Sequence, residues 1–259
     1  MPFQTNSGLR YYQFDLFQGN LTHALFTRAG GVSPEPWTGL NVGATVGDDL
    51  QRVRENRNRM ITALGRDPET VYDVWQVHGV EVAIAAAPRL PETPHLHADA
   101  ILTDQPSVTL VMRFADCVPV LLHDPVRGVV GIAHAGWMGT VKGTVCAAVD
   151  AMQTRFGSRP ADIRAGIGPA IGPDHYEIGA DVAAQVRSAF GDQAAHLLEE
   201  RNGATFFDLW SANRLHLERA GVGQIEVAGI CTACHTEDWF SHRAEKGRTG
   251  RFGAVIALV

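Results

Sequence analysis

The 259-residue chain is 45% hydrophobic and 19% charged, the balance of a folded globular protein rather than one with long disordered tails. A net charge of −6 and a pI near 6.0 provide no general basic field for nucleic acid or an anionic membrane, although they are compatible with a local arginine pocket. Four cysteines in so long a chain do not form a disulfide framework, and the first twenty residues lack the basic and apolar regions of an export signal. No apolar run is long enough to span a membrane, so a cytoplasmic, reducing location is expected.

In chain order, "LTHALFTR" (21–28) predicts a strand, "GGVSPEPWTGLNVG" (30–43) a Gly/Pro-rich loop, and 48–65 a helix that starts on acidic residues. "TVYDVWQV" and "VEVAIAAA" follow as two strand-like runs broken at His78-Gly79, before a Pro/His-rich connection from Pro88 to His97. "SVTLVMRF", "VPVLLHD" and "GVVGIAHA" predict three strands in quick succession with antiparallel pairing, then a helix from about 139 to 156. "IRAGIG" predicts a strand, 180–190 and 207–220 helices, and "IEVAGICT" and "RFGAVIALV" the last two strands. Strands interrupted by helices without βαβ alternation favour an α+β fold, and no repeat or linker composition divides the chain, so a single domain over 1–259 is expected.

His78, Cys117 and His134 each stand at a strand end or break beside a Gly, Asp or turn residue, and strand ends can converge on one sheet edge. Two imidazoles and a thiolate make a three-ligand zinc set that leaves a fourth position for water or substrate. The same residues also fit a metal-free Cys117 nucleophile with His78, His123 or His134 as base and Asp116 as orienter, or a buried thiol near two hydrogen-bonded histidines. "CTACH" (231–235) has the spacing of haem attachment, but that chemistry belongs to exported proteins; Cys231 and Cys234 are expected to pack at a strand terminus, with pairing or metal binding open. The lone His95-x-His97 pair does not build a copper cluster. Arg28, followed by two glycines, and Arg243, Arg248 and Arg251 near the C-terminus are weak anion-binding signals against a background of ordinary surface arginines.

Taken in order, "TRAGGVS", "GLNVG", "WQVHG", "HADAILTDQPSV", "ADCVPVLLHDP", "GIAHAGW", "GPAIGPDHYEIG" and "CTAC" with "FSHRAEKGRTGR" resemble the YfiH-like laccase-domain family, over about residues 23 to 259. Its members are variously named polyphenol oxidases, purine nucleoside phosphorylases and peptidoglycan-editing factors. The resemblance implies a layered α/β/β/α sandwich with mixed sheets and a catalytic zinc on His78, Cys117 and His134. It implies nucleoside and phosphate as substrates: phosphorolysis of adenosine, inosine and methylthioadenosine, with adenosine deamination at the same site. Arg28 falls on the family's loop arginine and is expected to contact phosphate or substrate. Asn41 falls in a family Ser-Leu-Asn segment whose serine is here Gly39. Two departures stand out: Met138 replaces a family arginine, and Asp174-His175 replaces a cysteine pair, with His175 expected as an outer polar group rather than a ligand of the zinc. A cysteine or metal amidohydrolase acting on cell-wall precursor peptides is the alternative, and copper (Cu2+) polyphenol oxidation is the weakest expectation.

Overall fold

A computed structural model describes residues 2–17, 19 and 21–259; Met1, Gln18 and Asn20, which fall within the expected single domain and the N-terminal segment read for an export signal, lie outside it. Among the described residues the strands form two six-stranded sheets and one three-stranded sheet. The first sheet runs β1 (Phe3–Asn6), β2 (Leu9–Tyr12), β3 (Leu21–Phe26), β15 (Phe252–Leu258), β7 (Thr109–Phe114) and β4 (Val71–Tyr72). The second runs β14 (Gln224–Val227), β10 (Arg164–Ile167), β8 (Val118–Asp124), β9 (Val129–Ala135), β6 (Ala100–Thr103) and β5 (Val82–Ile84). The small sheet is β11 (Glu177–Ile178), β13 (Ala204–Phe207) and β12 (Leu198–Arg201). The helices are α1 (Leu50–Thr62), α2 (Trp137–Lys142), α3 (Thr144–Phe156), α4 (Ala180–Phe190), α5 (Ala194–Leu197) and α6 (Leu209–Arg219).

The two large sheets pack face to face. Leu121, Val130 and Ile132 of the second sheet meet Met112, Phe114, Ala254 and Ile256 of the first in one buried cluster. On the outer face of the second sheet, Val120, Leu122, Val129 and Ala133 pack against Val145, Ala148, Val149 and Met152 of α3 and Leu209, Ala212 and Leu217 of α6. On the outer face of the first, Ala24, Val111 and Val255 pack against Met60 and Ile61 of α1. The order is therefore α/β/β/α, as the resemblance implied. Both faces of β8, β9 and β15 are covered, which is why each reads as an unbroken apolar run rather than an alternating one.

α1 begins where expected because Asp49 accepts hydrogen bonds from the amides of Gln51 and Arg52, capping the orphan donors of its first turn. The helix predicted over 139–156 is broken into α2 and α3 by Gly143, which adopts a left-handed φ of 84° and ends one helix while starting the next. An N-terminal hairpin, β1–β2, turns on Ser7 and Gly8, both at positive φ, where no element was predicted. β6 and the three-stranded sheet were likewise not predicted.

Strand partnership differs most from expectation. The run β7, β8, β9 does not form one antiparallel sheet: β7 pairs with β15 and β4, and only β8 and β9 pair with each other. Between Phe114 and Val118 the chain leaves the first sheet for the second, turning at Asp116 with φ 79°. The two strand-like runs around His78 shorten to β4 and β5 and also fall in different sheets, so a second crossing passes through His78 at φ 59°. Antiparallel pairing holds for most ladders, whereas β4–β7, β5–β6 and β10–β14 are parallel.

Candidate metal centre

The two crossings bring His78 and Cys117 to the same end of the sandwich, and β9 delivers His134. In the β8–β9 register Val118 lies opposite Ala135, so Cys117, one residue earlier, faces Gly136 at the edge of the ladder. One ligand atom from each of His78, Cys117 and His134 lies within 4.8 Å of the other two, and Cys117 Sγ is 3.9 Å from His78 Nε2. The two imidazole rings are 4.9 Å apart between centroids and steeply inclined, at 67°.

Asp99, wholly buried one residue before β6, organises the set. Its carboxylate accepts the backbone N–H groups of Val77, His78 and Gly79, holding the strained turn, and contacts His134 Nδ1 at 2.8 Å. That contact leaves the Nε2 edge of His134 for the sulfur or a cation, the carboxylate–imidazole arrangement that orients metal-binding histidines. Burial pushes the Cys117 thiol up, but His134 and His78 outweigh it and bring it down to about 6. Burial disfavours the charged His134 ring, yet Cys117 and Asp99 outweigh that and raise it to about 9. The pair favours the thiolate beside the cationic ring, the deprotonated sulfur that a divalent cation requires as a ligand.

The residues fit such a cation. A tetrahedral ion with bonds of about 2.0–2.3 Å needs its ligands only about 3.3–3.8 Å apart, a small contraction of the present spacing. A Cβ on Gly136 would lie 2.9 Å from Cys117 Sγ and 3.0 Å from His78 Cδ2, so the glycine keeps this space open. Gly136→Ala is expected to weaken the affinity of the centre by about tenfold, measurable by competition with a chromophoric chelator; unchanged affinity would show that the gap is not required.

A cleft of about 500 Å3 opens onto the three residues. Trp75, Tyr176, Arg57, Arg113, Arg243 and Arg251 line it, with the Arg243 guanidinium 5.1 Å over the Tyr176 ring. Arg113 is committed to Asp73, whereas the guanidiniums of Arg57, Arg243 and Arg251 donate to the backbone carbonyls of Val42, of Glu177, and of Thr249 and Gly250, and form no salt bridge among the described residues. Burial, reinforced by Arg113, lowers Arg57 to about 10, still a cation near neutrality.

Arg28 and Asn41 are not brought to the cleft. Arg28 donates to Thr236 O and Glu245, and its guanidinium lies 4.4 Å above the Phe240 ring. Asn41 is buried, donating to Asp48 and accepting from the backbone of Gly43 and Arg251, so it braces a cleft arginine from behind. Met138 does not line the cleft either. His175 meets Cys231 and Cys234 rather than the triad. Sequence reasoning missed Asp99, Arg57 and Tyr176. Asp99 lay inside "HADAILTD", but an acidic residue before a strand has no local mark of burial; Arg57 was one charged residue on a charged helix.

A family model described as multi-copper polyphenol oxidoreductase laccase matches residues 22–259. A purine nucleoside phosphorylase of Deinococcus radiodurans is 45% identical over 91% of this chain and 88% of its own. The purine nucleoside phosphorylase YlmD of Geobacillus stearothermophilus is 38% identical over 90% of this chain and 88% of its own. Among solved structures, the hypothetical protein YfiH of Bacillus licheniformis superposes with a TM-score of 0.92 at 35% identity, covering 100% of this chain and 99% of that one. YlmD of Geobacillus stearothermophilus does so with a TM-score of 0.92 at 35% identity, covering 99% and 98%. Likeness over the whole sandwich and the length of the family match place this chain in the YfiH-like laccase-domain family.

Proposed function

We propose that the chain is a zinc-dependent purine nucleoside phosphorylase acting in the cytoplasm as one continuous domain, with adenosine deaminase activity at the same centre. The observation that carries this is the cleft itself. Its volume of about 500 Å3 suits a nucleoside with phosphate, and it combines aromatic side chains, arginines whose guanidiniums form no salt bridge among the described residues, and the His78–Cys117–His134 set. The names of the relatives support the substrate class.

When bound, zinc supplies Lewis-acid polarisation of a substrate oxygen or lowers the pKa of water. His78, Cys117 and His134 would hold it, and Asp99 fixes the His134 ring. Trp75 and Tyr176 flank the base, and Arg57 with Arg251 takes the phosphate expected from the resemblance at Arg28, because those two guanidiniums line the cleft. In phosphorolysis a phosphate oxygen bonds to C1′ of the ribose as the glycosidic bond breaks, and the bonding electrons leave with the purine, which takes up a proton. The residues in the cleft align the two reactants and shield them from water.

Product analysis on adenosine tests this. Adenine with ribose 1-phosphate, formed only when phosphate is present, supports phosphorolysis; inosine supports deamination; the absence of both products overturns the proposal. Arg57→Gln is expected to raise KM for phosphate roughly 10–100-fold with a smaller effect on the nucleoside, the cost of losing a charge-assisted contact. Equal KM for phosphate would remove Arg57 from that role.

The depressed Cys117 thiol also favours a second reading, a cysteine amidohydrolase with a histidine base acting on precursor peptides. Stoichiometric zinc lost in both His78→Ala and His134→Ala would sink a metal-free dyad.

A further inference from the structure

A second group of donors lies outside the cleft. The chain after β10 and the chain after β14 run side by side, joined by a parallel bridge between Ala170 and Cys231. At their tips Asp174, His175, Cys231 and Cys234 each present one donor atom, all within 4.8 Å of one another. The individual separations are close to the edges of a coordination tetrahedron. His175 Nδ1 is 3.1 Å from Asp174 Oδ2, 3.5 Å from Cys234 Sγ and 3.8 Å from Cys231 Sγ, and Cys234 Sγ is 3.6 Å from Asp174 Oδ2. Bonds of about 2.0–2.3 Å to a central zinc ion predict edges of roughly 3.3–3.8 Å.

Four further features fit. Cys231-x-x-Cys234 has the spacing that lets one loop supply two thiolates to one ion. The Gly172 amide donates to Cys231 Sγ at 3.1 Å, an outer contact of the kind that stabilises and aims a metal-bound thiolate. A side chain at Gly172 would collide with Asp174 Oδ1 at 2.6 Å and crowd Cys231, so the glycine makes room for the cluster. Asp174, His175 and Cys234 are exposed, which gives an ion a route in, while Cys231 is buried and anchors the group.

We propose that Asp174, His175, Cys231 and Cys234 form a second, structural zinc site. Two thiolates, an imidazole and a carboxylate fill all four tetrahedral positions, so this site is closed, unlike the three-ligand centre in the cleft. It joins the loop that brings Tyr176 to the cleft to the loop that braces Asp116 from behind. Tyr176, next to His175, lines the cleft, and Thr232, next to Cys231, donates to the carboxylate of Asp116, the neighbour of Cys117.

The test uses the full chain, purified and kept in reductant, loaded with zinc, desalted and assayed for metal per chain. Wild type is expected to retain about two zinc ions, and Cys234→Ser and His175→Gln about one each, with far-UV circular dichroism showing that the fold survives at these exposed positions. Cobalt provides an independent readout. In a Cys117→Ser background the thiolate-to-cobalt charge-transfer absorption should persist, carried by Cys231 and Cys234, and adding Cys234→Ser with His175→Gln should abolish it. The proposal is overturned by a single zinc in wild type that those variants leave untouched. It is equally overturned by loss of the cobalt band in Cys117→Ser alone, or by a Cys231–Cys234 disulfide detected by mass spectrometry in reduced protein.

Discussion

Serine in place of Cys117 is expected to abolish metal binding by the His78–Cys117–His134 set and, for the proposed phosphorylase, to lower kcat/KM by more than about 100-fold, with the fold retained. Loss of an outer partner to a metal ligand typically costs 10–100-fold, and removing a ligand costs more. A hydroxyl is a far poorer anion than a thiol, so the variant loses the negative charge that balances His134 as well as the soft donor. Metal content and steady-state kinetics on the same preparation check the result. A variant that keeps full zinc but loses activity would make Cys117 a nucleophile; one that loses zinc but keeps activity would remove the metal from the reaction.

Asp99→Ala is expected to act without touching substrate. It leaves the amides of Val77, His78 and Gly79 without their common acceptor and frees the His134 ring. Removing one partner from a buried, hydrogen-bonded charge costs about 3–5 kcal/mol, so urea unfolding of the metal-free protein should shift by that amount. Metal affinity should fall about 10–100-fold, because the turn carrying His78 and the ring of His134 are no longer aimed. An unchanged affinity in a destabilised protein would assign Asp99 to folding alone, since only the affinity reports on orientation of the ligands.

His78, Cys117 and His134 were legible as candidates because each interrupts a strand-like run beside a turn residue, and residues at strand ends converge when the strands share an edge. That logic did not choose between ligand, nucleophile and buried thiol, since all three need the same proximity. The register of β8 on β9 turns the side chains toward one point, and Asp99 at Nδ1 leaves the Nε2 edge of His134 available, features that serve a ligand set and a thiol–imidazole pair alike. Arg28 shows the opposite case. Its position before two glycines suggested an anion site, yet the guanidinium is consumed by Glu245, more than two hundred residues away in the chain.

The sequence by itself determined the α+β class, the principal helices, the strands whose two covered faces make them long apolar runs, and the residue types from which a metal centre is built. Those features rest on local properties: side-chain period, capping residues, and backbone positions where turns are tolerated. Only the tertiary structure decided that β7 and β8 belong to different sheets, that the chain switches sheets at His78 and again at Asp116, and that Arg57 rather than Arg28 lines the cleft. It also decided that Asp174 and His175 meet Cys231 and Cys234 across more than fifty residues. The physical reason is common to all four: an apolar strand buried on both faces carries no mark of which neighbour it pairs with, and a charged or thiol side chain carries no mark of the distant group that packing sets beside it.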